Sequence, residues 1–235
     1  VYQTYSFEDE KTLPKKAREA WSFMETSTAC SVMKATCPDE WTDIVDFLSN
    51  YRLDPKYWLK AGGNRGDIAS QIDKFFHDRG WVEARLDLET VAKLFDKDGR
   101  LITTKDPITQ EGYLVDNFKN RVALDVEWNA KDGNLDRDLA AYRSWHESGL
   151  ISAAVIITKE RRSLLELARE LWEDFQSTLP KSEQSAKLPI DLSTTTVTAF
   201  DKAELRIRRG VMGTCPTLVI GANRATWNGE PYEDL

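Results

Sequence analysis

The stretch Leu150–Thr158, LISAAVIIT, is almost uninterrupted in apolar residues. A strand with one wet face would alternate apolar and polar side chains. A continuous run of this length suits a strand covered on both faces. Such a strand needs a layer on each side, and the neighbouring segments can supply them. NLDRDLAAYRSWHESG comes before it, with Leu135, Leu139, Tyr142 and Trp145 facing inward. RRSLLELARELWEDFQS comes after it, with Leu164, Ala168, Leu171 and Phe175 on one stripe. Both read as amphipathic helices. The expected class is therefore α/β, with a mixed sheet and helices on both of its faces.

The rest of the chain is read as one domain, residues 1–235, with residues 1–80 mainly helical. AREAWSFME is a short amphipathic segment. DEWTDIVDFLSNY places Trp41, Ile44, Val45 and Leu48 on one face, with Asp39 as its cap. GDIASQIDKFFHDRG does the same with Ile68, Ile72, Phe75 and Phe76, and Gly80 supplies its stop. From Trp81 the pattern alternates, and DKDG (Asp96 to Gly99) reads as a hairpin turn. YLVDNF and RVALDVEW follow as two strands. TLPKSEQSAKLP reads as a surface linker. TTTVTAFDKAELRIRRG and TLVIGAN read as closing strands, so residues 81–235 form a sheet core with a C-terminal extension.

Composition excludes several classes. Eight tryptophans argue against a disordered chain. No apolar run approaches the length of a membrane span, and the N-terminal stretch has no apolar segment of signal-peptide type. Cys30, Cys37 and Cys215 form an odd set without metal-ligand spacing and read as reduced thiols of a cytoplasmic protein. His77 and His146 are too far apart in sequence for a multi-histidine metal site, and both read as structural residues on helices. The net charge of -7 argues mildly against nucleic acid. Distribution matters more than the total, and 32 Lys and Arg side chains can still line one cleft.

The acidic residues of YLVDNFKNRVALDVEWN, Tyr113 to Asn129, sit where a sheet wants apolar side chains. With a two-residue turn at Lys119-Asn120, Phe118 pairs with Arg121 and Asp116 with Ala123. Alternation then puts Asp116, Asp125 and Glu127 on one face, and Leu124, Val126 and Trp128 on the other, in the core. Asp125 becomes the diagonal neighbour of Asp116, at roughly 7 Å between backbones. Like charges this close repel and raise one another's pKa. Mg²⁺ relieves that cost, because it accepts one or two carboxylates and completes its shell with water and phosphate oxygens. This pattern points to metal-assisted phosphodiester hydrolysis. A solvated strand face with outward charges would leave the same pattern.

These residues, followed by WNAKDGN, a helix and AAVIIT, resemble the PD-(D/E)XK nucleases. In particular they resemble the BglII/BamHI branch of type II restriction endonucleases. DIASQIDKFFHDRGWVEARLDLE is similar to the segment that leads into that catalytic region. Two positions depart from the usual pattern. Val115 replaces the proline before the first carboxylate, and Glu127 replaces the final lysine, where this branch admits Glu or Gln. The resemblance implies a homodimer that cuts a short palindromic DNA duplex with Mg²⁺. It implies Asp116 and Asp125 as metal ligands, Glu127 as the residue that orients or deprotonates water, and Glu83 as a fourth acidic group. A repair or recombination nuclease of the same fold stays open, as does a non-catalytic domain whose acidic strand face binds a basic partner.

If DNA is the substrate, Lys and Arg should concentrate near Asp116. KAGGNRGD is a Gly-rich entry to a helix, where Lys60, Asn64 and Arg65 can meet a phosphate; the same residues suit a plain loop. ELRIRRG, read as a strand, puts Arg206 and Arg208 on one face and Arg209 on the other. Arginine can bond guanine through two nitrogens, or simply solvate an edge strand. Asn223 and Arg224 follow a buried strand and are further candidates. Lys131 follows the acidic strand and can reach a phosphate, or belong to a helix-entry turn capped by Asn134.

Overall fold

The computed structural model describes residues 3–59, 66–189 and 197–233. Its strands are β1 (Gln3–Thr4), β2 (Trp21–Thr26), β3 (Val82–Arg85), β4 (Leu88–Thr90), β5 (Lys93–Phe95), β6 (Leu101–Thr104), β7 (Ile108–Gln110), β8 (Leu114–Lys119), β9 (Val122–Val126), β10 (Ala153–Lys159) and β11 (Thr217–Ala222). Its α-helices are α1 (Lys15–Ala20), α2 (Ala29–Thr36), α3 (Pro38–Asn50), α4 (Pro55–Trp58), α5 (Asp67–His77), α6 (Asp132–Glu147), α7 (Arg161–Thr178) and α8 (Phe200–Arg208).

Seven strands form a mixed sheet in the order β1-β2-β11-β10-β9-β8-β3. The parallel strands β9, β10 and β11 occupy its centre, and the outer pairs are antiparallel. Every residue of β10 is buried, as a doubly covered strand requires. Ala153, Val155 and Ile157 pack on one side with Phe47, Ile72 and Leu164. Ala154 and Ile156 pack on the other with Leu139, Tyr142 and Ile207. The sheet is thus the middle of three layers, with α3, α5 and α7 on one face and α6 and α8 on the other. Cys30, Cys37 and Cys215 are free and buried. Among the described residues no helix is long and apolar enough to cross a membrane.

Five local expectations change. AREAWSFME divides into α1 and β2, because β2 pairs antiparallel with β11 along its length. Tertiary pairing outweighs a weak helical pattern. The ELRIRRG segment lies at the end of helix α8, where Ala203 and Ile207 are buried one turn apart. The short R-I-R alternation resembled a strand only because it was too brief to separate the two periods. Asp39 lies in the first turn of α3 after a Cys37 cap, with Pro38 at the first helical position. Asn134 lies inside α6, whose N-cap is Lys131.

The hairpin turn is the fifth. Lys119 pairs with Val122 and Phe118 with Ala123, so the turn residues are Asn120 and Arg121. Asn120 takes the left-handed conformation, φ 48°, which asparagine tolerates better than lysine. The pairing moves by two residues, so each side chain keeps its face. Continuing this register puts Asp116 directly opposite Asp125, not diagonal to it.

Candidate active site

The acidic face of the hairpin lies inside the protein. Asp125 and Glu127 are each 6% exposed, which excludes a solvated strand face. Asp116 is half-buried beside them. The backbone ties the first two together. The Asp116 amide donates to Asp125 Oδ1 at 2.9 Å, and the Val126 amide donates to Asp116 Oδ2 at 3.0 Å. From α6, the buried Tyr142 hydroxyl donates to Asp125 Oδ2. Leu124, Val126 and Trp128 face the opposite core, which anchors the strand. The carboxylates open into a cleft of about 470 Å³.

Burial dominates the electrostatics. It raises the Asp125 carboxyl to about 8, helped by the charges of Asp116 and Asp138. It raises Glu127 too, helped by Asp138 and Asp125, and it raises Asp138. Glu127 Oε2 and Asp138 Oδ2 are buried without a donor. Among the described residues, acceptors without donors and mutually repelling acids leave the site short of positive charge. Among the described residues no three His, Cys, Asp or Glu side chains form a ready metal shell. A cation here would rest on Asp116 and Asp125 and draw further oxygens from water or substrate. An all-oxygen set of this kind suits a hard ion such as Mg²⁺.

Glu83 and Lys131 line the same cleft as Asp116, Asp125 and Glu127. Lys60, Asn64 and Arg65 lie outside the described residues; Gly66, which follows them, lines the cleft. The C-terminal candidates are not among its lining residues. Arg206 is bound to Asp136 through two nitrogens at 2.8 and 3.0 Å. Arg208 pairs with Glu204 one turn back. On a helix, Arg206 and Arg209 lie three residues apart on neighbouring positions and Arg208 points elsewhere. Asn223 caps a short 3₁₀ turn, and Arg224 grips Glu170. His77 contacts the Asp116 carbonyl at 3.1 Å, and His146 the Ile151 carbonyl at 3.2 Å.

The expected gathering of basic residues is not found in the described lining. It holds Asp73, Glu83, Asp116, Asp125 and Glu127 against Lys131 and Arg137. Sequence reasoning had overlooked Asp73, Arg137, Asp138 and Tyr142 as members of this constellation. A signal existed for Asp138, because it falls between Leu135, Leu139 and Tyr142 on the inward stripe of α6. An acid on an apolar helix face is a buried acid. Asp73 shows the same signature beside Ile72 and Phe76, and accepts from the Asn117 amide at 3.0 Å.

Comparison with curated proteins gives no match. Residues 21–222, from the start of β2 to the end of β11, match the family described as "Restriction endonuclease BglII/BglIII". The matched span includes the hairpin, the cleft and the covered central strands. The chain therefore belongs to the BglII/BglIII restriction endonuclease family, and it is a site-specific deoxyribonuclease of the type II restriction class.

Proposed function

We propose that this restriction endonuclease cuts a short palindromic DNA duplex as a homodimer, with Mg²⁺ as its divalent metal. One domain, residues 1–235, would carry both binding and cleavage. The observation that carries the reading is the meeting of Asp116, Asp125 and Glu127 in one buried cleft. In this reading Asp116 and Asp125 hold the ion. When bound, Mg²⁺ would polarise a phosphoryl oxygen and lower the pKa of water. Glu127 orients the attacking water or takes its proton, because it projects from the same strand face two residues beyond Asp125. The Tyr142 hydroxyl fixes the Asp125 carboxyl and limits its rotation. Glu83 adds a fourth acid at the wall. Lys131 and Arg137 face the cleft, where they can meet phosphate oxygens. Exposed Leu94, Phe95, Leu101 and Ile102 on β5 and β6 support a partner copy, because such surface favours burial.

The test is digestion of a defined plasmid with Mg²⁺ and with EDTA. Discrete fragments with Mg²⁺ alone are expected, and none from Asp125→Ala. A smear would replace site-specific cutting with nonspecific nuclease action. Equal behaviour of wild type and Asp125→Ala would remove the assigned site. Sedimentation of the free enzyme tests the dimer.

A further inference from the structure

Lys159 is a buried cationic side chain that the cleavage reading does not use. It ends β10 and is 4% exposed. A buried ammonium needs acceptors, because water no longer solvates it. Both of its acceptors belong to the segment that leaves β9. Nζ donates to the Trp128 carbonyl and, at 3.2 Å, to Asn129 Oδ1. It also lies 5.2 Å from the centre of the Trp128 ring. Two more bonds hold the same segment. Thr158 Oγ1 donates to the Glu127 carbonyl and the Thr198 amide to the Ala130 carbonyl, each at 2.9 Å. Asn129 thus projects from a backbone tied on both sides of it.

An ammonium group carries donors only, so the Asn129 amide must turn its oxygen toward Lys159. The NH₂ is left for the other side. There a Cβ added at Gly66 would stand 3.1 Å from Nδ2. Gly66 and Asn129 both line the cleft that holds Asp116 and Asp125. Asn129 is half-buried, and its Nδ2 has no acceptor among the described residues.

We propose that Asn129 donates its side-chain amide to a phosphate oxygen of the duplex, and that Lys159 is the residue that positions it. The proposal rests on this cleft being where DNA binds. The orientation favours phosphate over a base. Asparagine reads adenine with its oxygen and nitrogen together, and here the oxygen is turned into the protein. A phosphate oxygen requires only a donor.

The experiment measures duplex affinity by anisotropy with Ca²⁺ at fixed ionic strength. The duplexes carry the site located by plasmid digestion, or that site with one base pair changed. Asn129→Ala should weaken all of them by the same factor, at least about 10-fold. The salt slope should not change, because no charge is removed. The penalty should vanish when a methylphosphonate replaces the contacted phosphate. Wild-type affinity of Asn129→Ala overturns the inference, as does a penalty that vanishes for one base-pair change instead. Lys159→Met should lose a similar affinity, yet cost no more than about 2-fold further in the Asn129→Ala background. Equal losses in both backgrounds mark general packing and overturn the role of Lys159. Gly66→Ala probes the same geometry with Lys159 intact, in case Lys159→Met does not fold. Its Cβ presses on Nδ2 and should weaken binding about 3-fold only when Asn129 is present; the same loss without Asn129 overturns the placement. If wild type binds no duplex, the nuclease reading fails and the contact with it. If wild type binds and Asn129→Ala binds equally well, this inference alone fails.

Discussion

Replacing Asp125 by asparagine is expected to stabilise the metal-free protein at alkaline pH. In the folded chain, burial first, and then the Asp116 and Asp138 charges, raise this carboxyl from 3.8 to about 8. Unfolding returns it to the ordinary value. The folded state therefore holds a proton that the unfolded state has released. That stability is fully present below about pH 4 and is lost as the pH rises through about 8. The complete loss corresponds to on the order of 5 kcal/mol. Asparagine carries no charge at any pH. Its oxygen can accept from the Asp116 amide, and its NH₂ can donate to the Tyr142 hydroxyl. Relaxation and water entry reduce the gain, so about 2–4 kcal/mol is expected at pH 9, or about 5–10 °C in a domain of this size. Melting in EDTA at pH 5 and pH 9 reads the effect. Wild type should lose stability between the two, and Asp125→Asn should lose less, the slope that remains coming from the raised carboxyls of Glu127 and Asp138. A variant less stable than wild type at pH 9, or one with the same pH slope, would refute the reasoning.

Three further outcomes follow from the same geometry. The described cleft is acidic, so duplex affinity should rise at least about tenfold when Ca²⁺ replaces EDTA at fixed ionic strength; anisotropy that does not change would contradict this. Tyr142→Phe removes the side-chain donor to buried Asp125 Oδ2 and should cost about 1–3 kcal/mol in urea unfolding without metal. Asn120→Ala should cost about 2 kcal/mol, through the left-handed turn position and the lost bond to buried Glu40. Asn120→Gly keeps the turn and should cost less, which chemical denaturation can resolve.

The sequence alone determined which strand lies at the centre. LISAAVIIT has no polar face, so it had to be covered twice, and the two amphipathic segments beside it were the available covers. It also determined the sidedness of the carboxylates. Strand alternation has period two, and the true turn shifted the pairing by two, so Asp116, Asp125 and Glu127 kept their shared face despite the misplaced turn. The same periodicity marked Trp128 as core, where it is 4% exposed.

Local pattern could not decide what depends on distant partners. Trp21–Thr26 is a strand because β11 lies beside it, nearly two hundred residues on. Arg206 is engaged by Asp136 from another helix, which no spacing in ELRIRRG encodes. Above all, the spacing of the acids is the same whether the charges stand in water or line a cleft. Burial is a property of packed layers. The descent of α6 onto the sheet brings Tyr142 and Asp138 in beside Asp125 and Glu127, turning an acidic strand face into a desolvated one.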